Sequence, residues 1–328
     1  MELKPTSHLG VTVIIVNYNA GELLGRTLLA LFKQSLQPDE IIVVDNASSD
    51  GSRNLPELMT PRITLLSQKK NIGFAAANNL AIQQVKTPLL ALLNPDCFPQ
   101  PDWLQRLITA AEHSPQYSSY GSRMLVADTP ELVDGAGDEY HISGLYWRRH
   151  HQQAATAEDL QPCAIFSPCA GAALYRREHL LEAGGFDERF FCYGEDIDLG
   201  YRLRLRGRTS LYVPDSVAHH VGSAISGSRS QFTIYHSHRN LEWVFIKNCP
   251  TPLLPLLLPI HLFTITAIFP VFLIKGEARP YLKAKRDAWR GVRPMVHARK
   301  KIQAERRISL WQLLLSFNYA PFTLRHRD

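Results

Sequence analysis

Cysteine is scarce in this sequence of 328 residues, and its positions follow none of the common metal or disulfide patterns. There is no C-x-x-C pair and no zinc-finger spacing, which excludes zinc modules and thioredoxin-type redox sites. The number of cysteines is odd, and we expect a reducing compartment in which each thiol packs as a small apolar side chain. The five positions are Cys97, Cys163, Cys169, Cys192 and Cys249.

Several other signals are missing. The first ten residues, MELKPTSHLG, contain no apolar run, so we expect no secretory signal and a chain that begins in the cytoplasm. No G-x-G-x-x-G motif follows the first predicted strand, which argues against a nicotinamide site. A composition of 45% hydrophobic and 20% charged residues excludes a disordered tail, a collagen-like fibre and a disulfide-stapled miniprotein.

Basic residues are concentrated towards the carboxyl terminus. The net charge of the whole chain is +6, yet residues 275–328 alone contain 14 lysines and arginines against 4 acidic residues. Such a tail forms a solvated helical face, binds nucleic acid or binds an anionic membrane surface. No aromatic-interleaved basic motif or known nucleic-acid module is found, and we expect no nucleic-acid partner.

Hydrophobic periodicity predicts an α/β fold with a Rossmann-like, mostly parallel sheet flanked by helices. Apolar runs predict buried strands over residues 11–16 and 41–45 and two further strands over residues 63–66 and 89–94. Helical patterns cover residues 21–34 and 73–84. Ligands of such sheets bind beyond the carboxyl ends of the strands, where polar residues follow three of the predicted strands. These are Asn17 to Asn19, Asp45 with Asn46, and Asn94 with Asp96.

The middle of the chain is less regular. Residues 134–137 have the composition of a turn, and the aromatic and basic residues 146–151 form either a surface loop or a binding loop. A strand is predicted over residues 209–213. It is followed by a polar loop that contains His219 and His220.

Three acidic residues precede a helix predicted over residues 200–206. A positioned carboxylate is what deprotonation of a hydroxyl requires, and a second acid nearby raises its pKa. Glu195 and Asp196 are therefore candidates for a general base. The alternative is that these acids stabilise the start of the helix through its dipole, and this explanation is sufficient for at least Glu195. Asp198 falls on a different face of the helix and is predicted to be structural.

Asp45 and Asp96 each have two interpretations. Asp45 either caps the loop after its strand or accepts hydrogen bonds from a nucleobase or ribose, with Tyr18 stacking on the base. Asp96 is either a loop aspartate after proline or a ligand of a divalent cation that bridges a diphosphate. A lone histidine is seldom a ligand, but an imidazole of His219 or His220 is suited to complete such a site.

Residues 253–274 carry no formal charge and are just long enough to cross a hydrocarbon core. Three prolines interrupt them, so a straight spanning helix is not expected. A buried core helix is one alternative. We prefer a proline-broken interfacial or re-entrant pair of helices, with the basic tail on anionic headgroups. The residues expected to contact the headgroups are Arg279, Lys283, Lys285, Arg286 and Arg290.

Seven segments in this order resemble the family-2 inverting glycosyltransferases of GT-A fold, in particular their rhamnosyltransferase-like branch. They are VIIVNYN, IIVVDNASSDGS, NIGFAAANN, LLNPD, CAGAALYRRE, GGFDERFFCYGEDIDLGYRLRLRG and AHHVGSA. The resemblance implies a GT-A catalytic domain over residues 1–240. Its donor-binding half would be residues 1–120 and its acceptor-binding half residues 121–240. Residues 241–328 would form a helical, membrane-associated region.

The resemblance also implies roles for individual residues. Asp196 would be the catalytic base, with Glu195 beside it. Asp96 would be the metal-binding acid of a DxD-type motif, although Asn94 and Pro95 occupy the two preceding places; His220 is the better metal ligand of the histidine pair. The donor nucleotide would be bound by Tyr18, Asn19, Asp45, Asp50, Asn71, Gly73, Asn78 and Asn94. The acceptor would lie against Gly171, Ala172 and Trp147.

The implied reaction is a single displacement with inversion, assisted by Mg²⁺ or Mn²⁺. The sugar, first choice rhamnose from dTDP-rhamnose, would pass to a lipid-linked or polysaccharide acceptor in bacterial cell-surface glycan synthesis. The implied location is the cytoplasmic face of the plasma membrane. The competing hypothesis is an inactive GT-A scaffold that binds nucleotide or membrane.

Overall fold

The computed structural model describes residues 9–222 and 230–320, so the Ser-Ala end of the last motif lies outside the described residues. The strands are β1 Val11–Asn17, β2 Glu40–Asp45, β3 Ile63–Ser67, β4 Leu89–Leu93, β5 Cys97–Pro99, β6 Tyr117–Val126, β7 Thr129–Gly135, β8 Asp138–Tyr140, β9 Tyr146–Arg148, β10 Gln153–Ala154, β11 Cys163–Ile165, β12 Ala172–Arg176 and β13 Thr209–His220. The helices are α1 Glu22–Phe32, α2 Phe74–Ile82, α3 Trp103–His113, α4 Arg177–Glu182, α5 Glu195–Leu205, α6 Gln231–Asn248, α7 Leu254–Ala267, α8 Phe269–Ile274, α9 Ala278–Arg290, α10 Val292–Ala304 and α11 Leu310–Leu314.

The amino-terminal half of the main sheet is parallel, in the order β3-β2-β1-β4. Every residue of β1 is buried, because α1 covers one face of the sheet and α2 the other. Continuous β-branched and apolar runs are the pattern such doubly covered strands require. The register pairs Asn17 with Asp45, so the polar residues that end β1 and β2 lie side by side.

The other half of the sheet is mixed. β12 runs antiparallel between β4 and β6, and β13 pairs parallel with β6 and antiparallel with the short strand β5. The prediction of a polar loop after residue 213 is wrong. β13 continues to His220, with a register shift between Val213 and Val217, and its pairing with Cys97 carries His220 to the end of β4.

Two further sequence-based boundaries need correction. Residues 134–137 are not a simple turn, because Asp134 and Gly135 end β7 and β8 begins at Asp138. The helix predicted from residue 200 begins at Glu195, directly after Gly194.

The carboxyl-terminal helices pack on the sheet domain. One hydrophobic cluster combines Tyr140, Phe190 and Tyr201 with Phe245 and Met295. The predicted domain boundary at residue 240 falls inside α6, and this cluster draws on both sides of it.

Candidate functional site

A buried polar cluster lies where β1 and β2 end. Asn17 Nδ2 donates to Asp45 Oδ1 at 3.1 Å, to Ser48 Oγ at 3.1 Å and to Ser52 Oγ at 2.9 Å. Asp45 Oδ2 is buried and accepts no hydrogen bond from the described residues. An unsatisfied buried carboxylate oxygen is costly, which favours a polar ligand there. Tyr18, 38% exposed, follows β1 at the same edge.

Asn19 and Asp50 join the loops that follow β1 and β2. Asn19 adopts a positive φ of 52° and its Oδ1 accepts from Ser49 N at 2.8 Å. Asp50 Oδ2 accepts from Gly21 N at 2.7 Å. Partial burial raises the pKa of Asp50, but hydrogen bonds from Ser52 and Gly21 outweigh it and hold that pKa below its usual value. Both side chains shape the edge of the site; their contact with a nucleotide stays a prediction.

Asn71, Gly73 and Asn78 all make contacts within the protein. Asn71 Oδ1 accepts from Asn46 Nδ2 and from Gly73 N, each at 2.9 Å. Gly73 has φ of +88°, and a Cβ there would lie 2.6 Å from the Phe191 ring. Asn78 Nδ2 donates to its own helix, to Phe74 O at 2.9 Å. These contacts bring the loop before α2 against the loop before α5; a donor contact of the three residues remains a prediction.

Asp96 and His220 form a buried pair. Asp96 Oδ1 lies 3.3 Å from His220 Nε2, and Asn94 Nδ2 also lies 3.3 Å from that nitrogen. On the other side of the ring, His220 Nδ1 lies 2.9 Å from Asp134 Oδ2. Burial lowers the pKa of His220, but the carboxylates of Asp134 and Asp96 outweigh it and raise that pKa to about 9.

His219 does not join this pair. Successive side chains of a strand point to opposite faces, and His219 Nε2 lies 3.3 Å from Gln100 Nε2. The expectation that the two histidines share a loop facing Asp96 is therefore wrong for His219, which leaves His220 as the candidate ligand.

The residues around His220 fit a divalent cation. A metal-ligating histidine normally has a carboxylate or carbonyl on its second ring nitrogen, and Asp134 supplies one. Among residues 9–222 and 230–320 no group of three or more acidic, histidine or cysteine side chains is arranged as a metal site. Mg²⁺ and Mn²⁺ sites that include substrate phosphates need only one or two protein carboxylates. Asp96 and His220 would hold the cation. Sequence reasoning missed Asp134, because its partner is 86 residues away.

Asp196 lies one residue into α5, and both its oxygens are hydrogen-bonded to the backbone. Oδ1 accepts from Ile197 N at 2.9 Å and Oδ2 from Ala170 N at 3.3 Å. Burial raises the pKa of Asp196, and the backbone donors and then Arg148 oppose this rise only in part. A carboxylate that is largely but not fully buried and has a raised pKa has the properties of a general base.

Glu195 is more deeply buried. Burial first, and then the charge of Asp196, raise its pKa well above the usual range, and its Oε2 has no hydrogen-bond partner among the described residues. Asp198 lies in the interior, where its Oδ2 accepts from Arg202 Nε and from Lys247 Nζ, each at 2.8 Å. Of the three acids, Asp196 is the one with access to a substrate.

One short segment connects the base to the cation pair. Ala170 N donates to Asp196, while the carbonyl of the next residue, Gly171, accepts from Asn94 N at 2.9 Å. A Cβ on Gly171 would lie 3.1 Å from Asn94 Nδ2, so the backbone approaches the site closely. Ala172 is buried inside β12. The segment thus contacts Asp196 directly and the Asp96–His220 pair through Asn94.

Arg148 also belongs to this site. Its Nη1 donates to Asp134 Oδ2 at 2.7 Å with a third of the side chain exposed, and its charge acts on both Asp196 and the buried Asp138. Trp147, the neighbouring residue, points the opposite way. Its Nε1 donates to Glu139 Oε2 at 3.0 Å and its ring packs in an interior cluster. Trp147 is thus a core residue, and the basic side chain beside it reaches the site.

Asn240 of α6 holds the loop that leads into α5. Its Nδ2 donates to Phe190 O at 3.0 Å, to Cys192 O at 2.9 Å and to Tyr193 O at 2.6 Å. Phe191, Tyr193 and Gly194 all have positive φ, a conformation that costs free energy in non-glycine residues. One buried amide thus stabilises the strained backbone directly before Glu195 and Asp196. The sequence carries no local signal for this, since Asn240 is 47 residues beyond the loop.

Comparisons with known proteins identify the family of the chain. The family model described as Glycosyl transferase family 2 matches residues 12–183, more than half of the chain. The chain is 28% identical over 262 residues to the N-acetylglucosaminyl-diphospho-decaprenol L-rhamnosyltransferase of Mycobacterium tuberculosis, covering 72% of this chain and 83% of that protein. It is also 28% identical over 245 residues to chondroitin synthase of Escherichia coli, covering 64% of this chain and 34% of that one.

Two solved structures share the fold. GalNAc-T7 with UDP, GalNAc and Mn²⁺ superposes with a TM-score of 0.61 at 19% identity, covering 74% of this chain and 48% of that one. The mannosyltransferase PcManGT from Pyrobaculum calidifontis, in complex with GDP-Man and Mn²⁺, gives a TM-score of 0.52 at 19% identity, covering 92% and 88%. The predicted GT-A fold and family are confirmed: this chain belongs to glycosyl transferase family 2 and is a glycosyltransferase.

Proposed function

We propose that this enzyme is an inverting rhamnosyltransferase that moves a sugar from dTDP-rhamnose to a lipid-linked saccharide in bacterial cell-surface glycan synthesis. The observation that carries the proposal lies at residues 170–171. Ala170 N donates to the carboxylate of Asp196, whose pKa is raised. Gly171 O accepts from Asn94, whose side chain contacts His220 of the buried Asp–His pair. An inverting transfer needs these two functions on opposite sides of the anomeric carbon.

The donor side of the proposal uses the ends of β1, β2 and β4. Asp45 Oδ2 would accept a hydrogen bond from the base or ribose, and Tyr18 would cover the base. Asp96 and His220 would hold Mg²⁺ or Mn²⁺ against the diphosphate, and the bound cation would offset the negative charge of the leaving nucleoside diphosphate. The two structures of the same fold that contain nucleotides also contain Mn²⁺.

On the acceptor side, Asp196 would take the proton of a hydroxyl group as that oxygen attacks the anomeric carbon. The hydrogen bonds from Ala170 and Ile197 fix the carboxylate in one orientation, so little reorganisation is needed. Configuration inverts because one displacement occurs and the sugar is never bonded to the protein. Arg148 lies beside this position and would favour an acceptor that carries negative charge.

The acceptor class comes from the mycobacterial relative, whose name describes a sugar linked through diphosphate to decaprenol. A lipid-linked acceptor of this kind is confined to a membrane, and nucleotide sugars are made in the cytoplasm. We therefore assign the enzyme to the cytoplasmic face of the plasma membrane, with its basic carboxyl-terminal helices on anionic headgroups.

A donor panel tests this proposal. The purified enzyme is incubated with dTDP-rhamnose or with UDP- and GDP-sugars, each with Mg²⁺, with Mn²⁺ or with EDTA, and with a polyprenyl-diphosphate N-acetylglucosamine acceptor. We expect metal-dependent release of dTDP and a rhamnosylated lipid of inverted configuration. Transfer from another donor would overturn the choice of rhamnose. Nucleotide binding without hydrolysis or transfer of any donor would instead support the inactive scaffold.

Asn240→Asp should lower kcat by about 100-fold with little change in the donor KM, since small displacements of a catalytic group have effects of this size. The substitution replaces a donor to three carbonyl groups by an acceptor, so the loop before Asp196 loses its support. Gln34→Glu is a matched control, because Gln34 is also a buried amide that donates to carbonyl groups, at a site between α1 and α3. An Asn240→Asp enzyme that melts normally and retains kcat would contradict this positioning role.

A further inference from the structure

The apolar segment Leu254–Ile274 has a mean hydropathy of 2.2 and is long enough to cross a membrane. It has two distinct sides. Leu253, Leu257, His261, Ile268 and Phe272 form a buried stripe at helical spacing. The opposite side is exposed and carries Leu256, Ile260, Leu262, Phe263, Leu273 and Ile274.

The buried stripe packs lengthwise on α6. The ring of His261 stacks on Phe245 with centroids 4.1 Å apart, and the ring of Phe272 meets His238 at 4.7 Å. The later residue of the segment, Phe272, thus contacts the earlier residue of α6, His238, so the segment and α6 run in opposite directions. α6 belongs to the catalytic domain, since its Asn240 holds the loop before α5. The apolar segment is therefore attached to the enzyme body at His261 in α7 and at Phe272 in α8.

A buried polar network fixes this attachment. His261 Nδ1 lies 2.7 Å from Ser143 O and its Nε2 lies 3.0 Å from Glu242 Oε2. The other Glu242 oxygen accepts from Lys285 of α9, so Lys285 faces the interior and the expectation that it contacts headgroups is wrong. Burial raises the pKa of Glu242, but Lys285 and then His261 outweigh it and lower that pKa to about 2. A helix that crossed a bilayer would have to break these contacts and leave the His261 ring without its two hydrogen-bond partners.

The next helix, α9, contacts α8 and has an exposed face that is both apolar and basic. On α9, Leu282 and Trp289 are exposed beside Arg286 and Arg290. Both arginines pair with Asp287, at 3.1 Å and 3.5 Å, while their own side chains are more than half exposed, and such surface pairs are weak. Apolar side chains next to arginines form the surface that an anionic lipid leaflet fits.

We propose that α7 and α8 lie in the plane of an anionic leaflet, with the buried stripe on the enzyme and the Phe263 side among the lipids. The segment neither spans nor re-enters the bilayer. This inference rests on the proposed function and deepens it. A lipid-linked acceptor would then reach the enzyme from the membrane, on the side of the molecule where α6 lies. A second copy of the chain is the competing occupant of the apolar side.

Vesicle binding tests the occupant and needs no sugar donor, so its outcome is independent of the donor panel. We expect the full chain to cosediment with vesicles rich in phosphatidylglycerol and much less with pure phosphatidylcholine. Phe263→Glu with Ile274→Glu, which are 75% and 85% exposed, should weaken binding more than about 10-fold, as loss of two buried apolar side chains predicts. Met59→Glu with Leu160→Glu changes two side chains of similar exposure elsewhere, 74% and 54%, and should bind normally. Equal binding by both double variants would overturn the proposal. So would a lipid-free dimer that Phe263→Glu dissociates.

Depth measurements test the orientation. A bimane label is attached in turn to Leu256→Cys, Phe263→Cys and Ile274→Cys, and quenched by lipids with nitroxides at known depths, with the unsubstituted chain as background. An in-plane helix predicts the same shallow depth at all three positions. A spanning helix predicts that positions 256 and 274 differ by about 27 Å along the membrane normal, and that result would overturn the proposal.

Discussion

Asp196→Asn is expected to lower kcat by about 100-fold or more while binding of the donor is unchanged, which is the scale of a positioned general base. An asparagine keeps the size of the side chain and one acceptor for the N–H of Ile197. It cannot take up the proton of an acceptor hydroxyl. The measurement is single-turnover transfer together with a separate titration of donor binding.

Glu195→Gln is the matched control for this prediction. Burial and the neighbouring Asp196 raise the pKa of Glu195 well above its usual range, and glutamine replaces the carboxyl group by an amide of the same shape. We expect a much smaller loss of kcat. If Glu195→Gln abolished transfer and Asp196→Asn did not, the two roles would have to be exchanged.

The same assignment fixes the pH dependence. The pKa of Asp196 is raised, mainly by burial, and only the ionised form is a base. The value of kcat/KM should therefore fall as the pH decreases through this raised pKa, at a pH above the usual range for aspartate. Arg148 lowers the pKa of Asp196, so Arg148→Gln should move this limb of the profile to still higher pH.

Asp96→Asn is the second substitution with a large expected effect. Removing the carboxylate that would hold the cation should reduce kcat/KM by about 10²–10³-fold, as loss of one electrostatic stabiliser of the leaving group typically does. Binding of Mn²⁺ in the presence of dTDP, followed by electron paramagnetic resonance, should weaken in parallel. Asp134→Asn, which removes the partner of His220 Nδ1, should weaken Mn²⁺ binding by about 10–100-fold.

Asp102→Asn provides the control for charge alone. Asp102 is exposed and pairs with Arg106 at 2.9 Å on the surface, so its loss should change neither Mn²⁺ binding nor turnover. Full activity of Asp96→Asn in EDTA would contradict a metal role for Asp96 and leave His220 as part of a metal-free site.

Local patterns predicted the parallel half of the sheet because three of its four strands, β1, β2 and β4, are buried on both faces. Runs such as residues 11–16 and 41–45 have no polar face to expose to water, so they are expected in a sheet that helices cover on both sides. The carboxyl ends of parallel strands meet at one edge, which is why Asp45 and Asp96 could be singled out as candidates. The order of seven motifs then identified the family, which the match over residues 12–183 confirms.

Predictions that depended on which way a side chain points were less successful. A continuous strand replaced the predicted loop at residues 219–220, and strand alternation then separated the two histidines. Alternation likewise turned Trp147 inward and Arg148 towards the site. Lys285 was grouped with the exposed basic residues by charge alone, although Glu242 holds it in the interior.

By itself, the sequence determined the fold class and the family, and it named two carboxylates as candidates for catalysis, because these inferences depend on hydrophobic periodicity and on residues close together in the chain. Only the tertiary structure decided which groups support them. Asp134 lies 86 residues from His220 and Asn240 lies 47 residues from Tyr193. Contacts at such separations arise from strand register and helix packing, which no local pattern encodes. Residues 253–274 are a further example. Their apolar composition was compatible with a membrane span, and only the tertiary contact of His261 with α6 showed that one side is held against the enzyme.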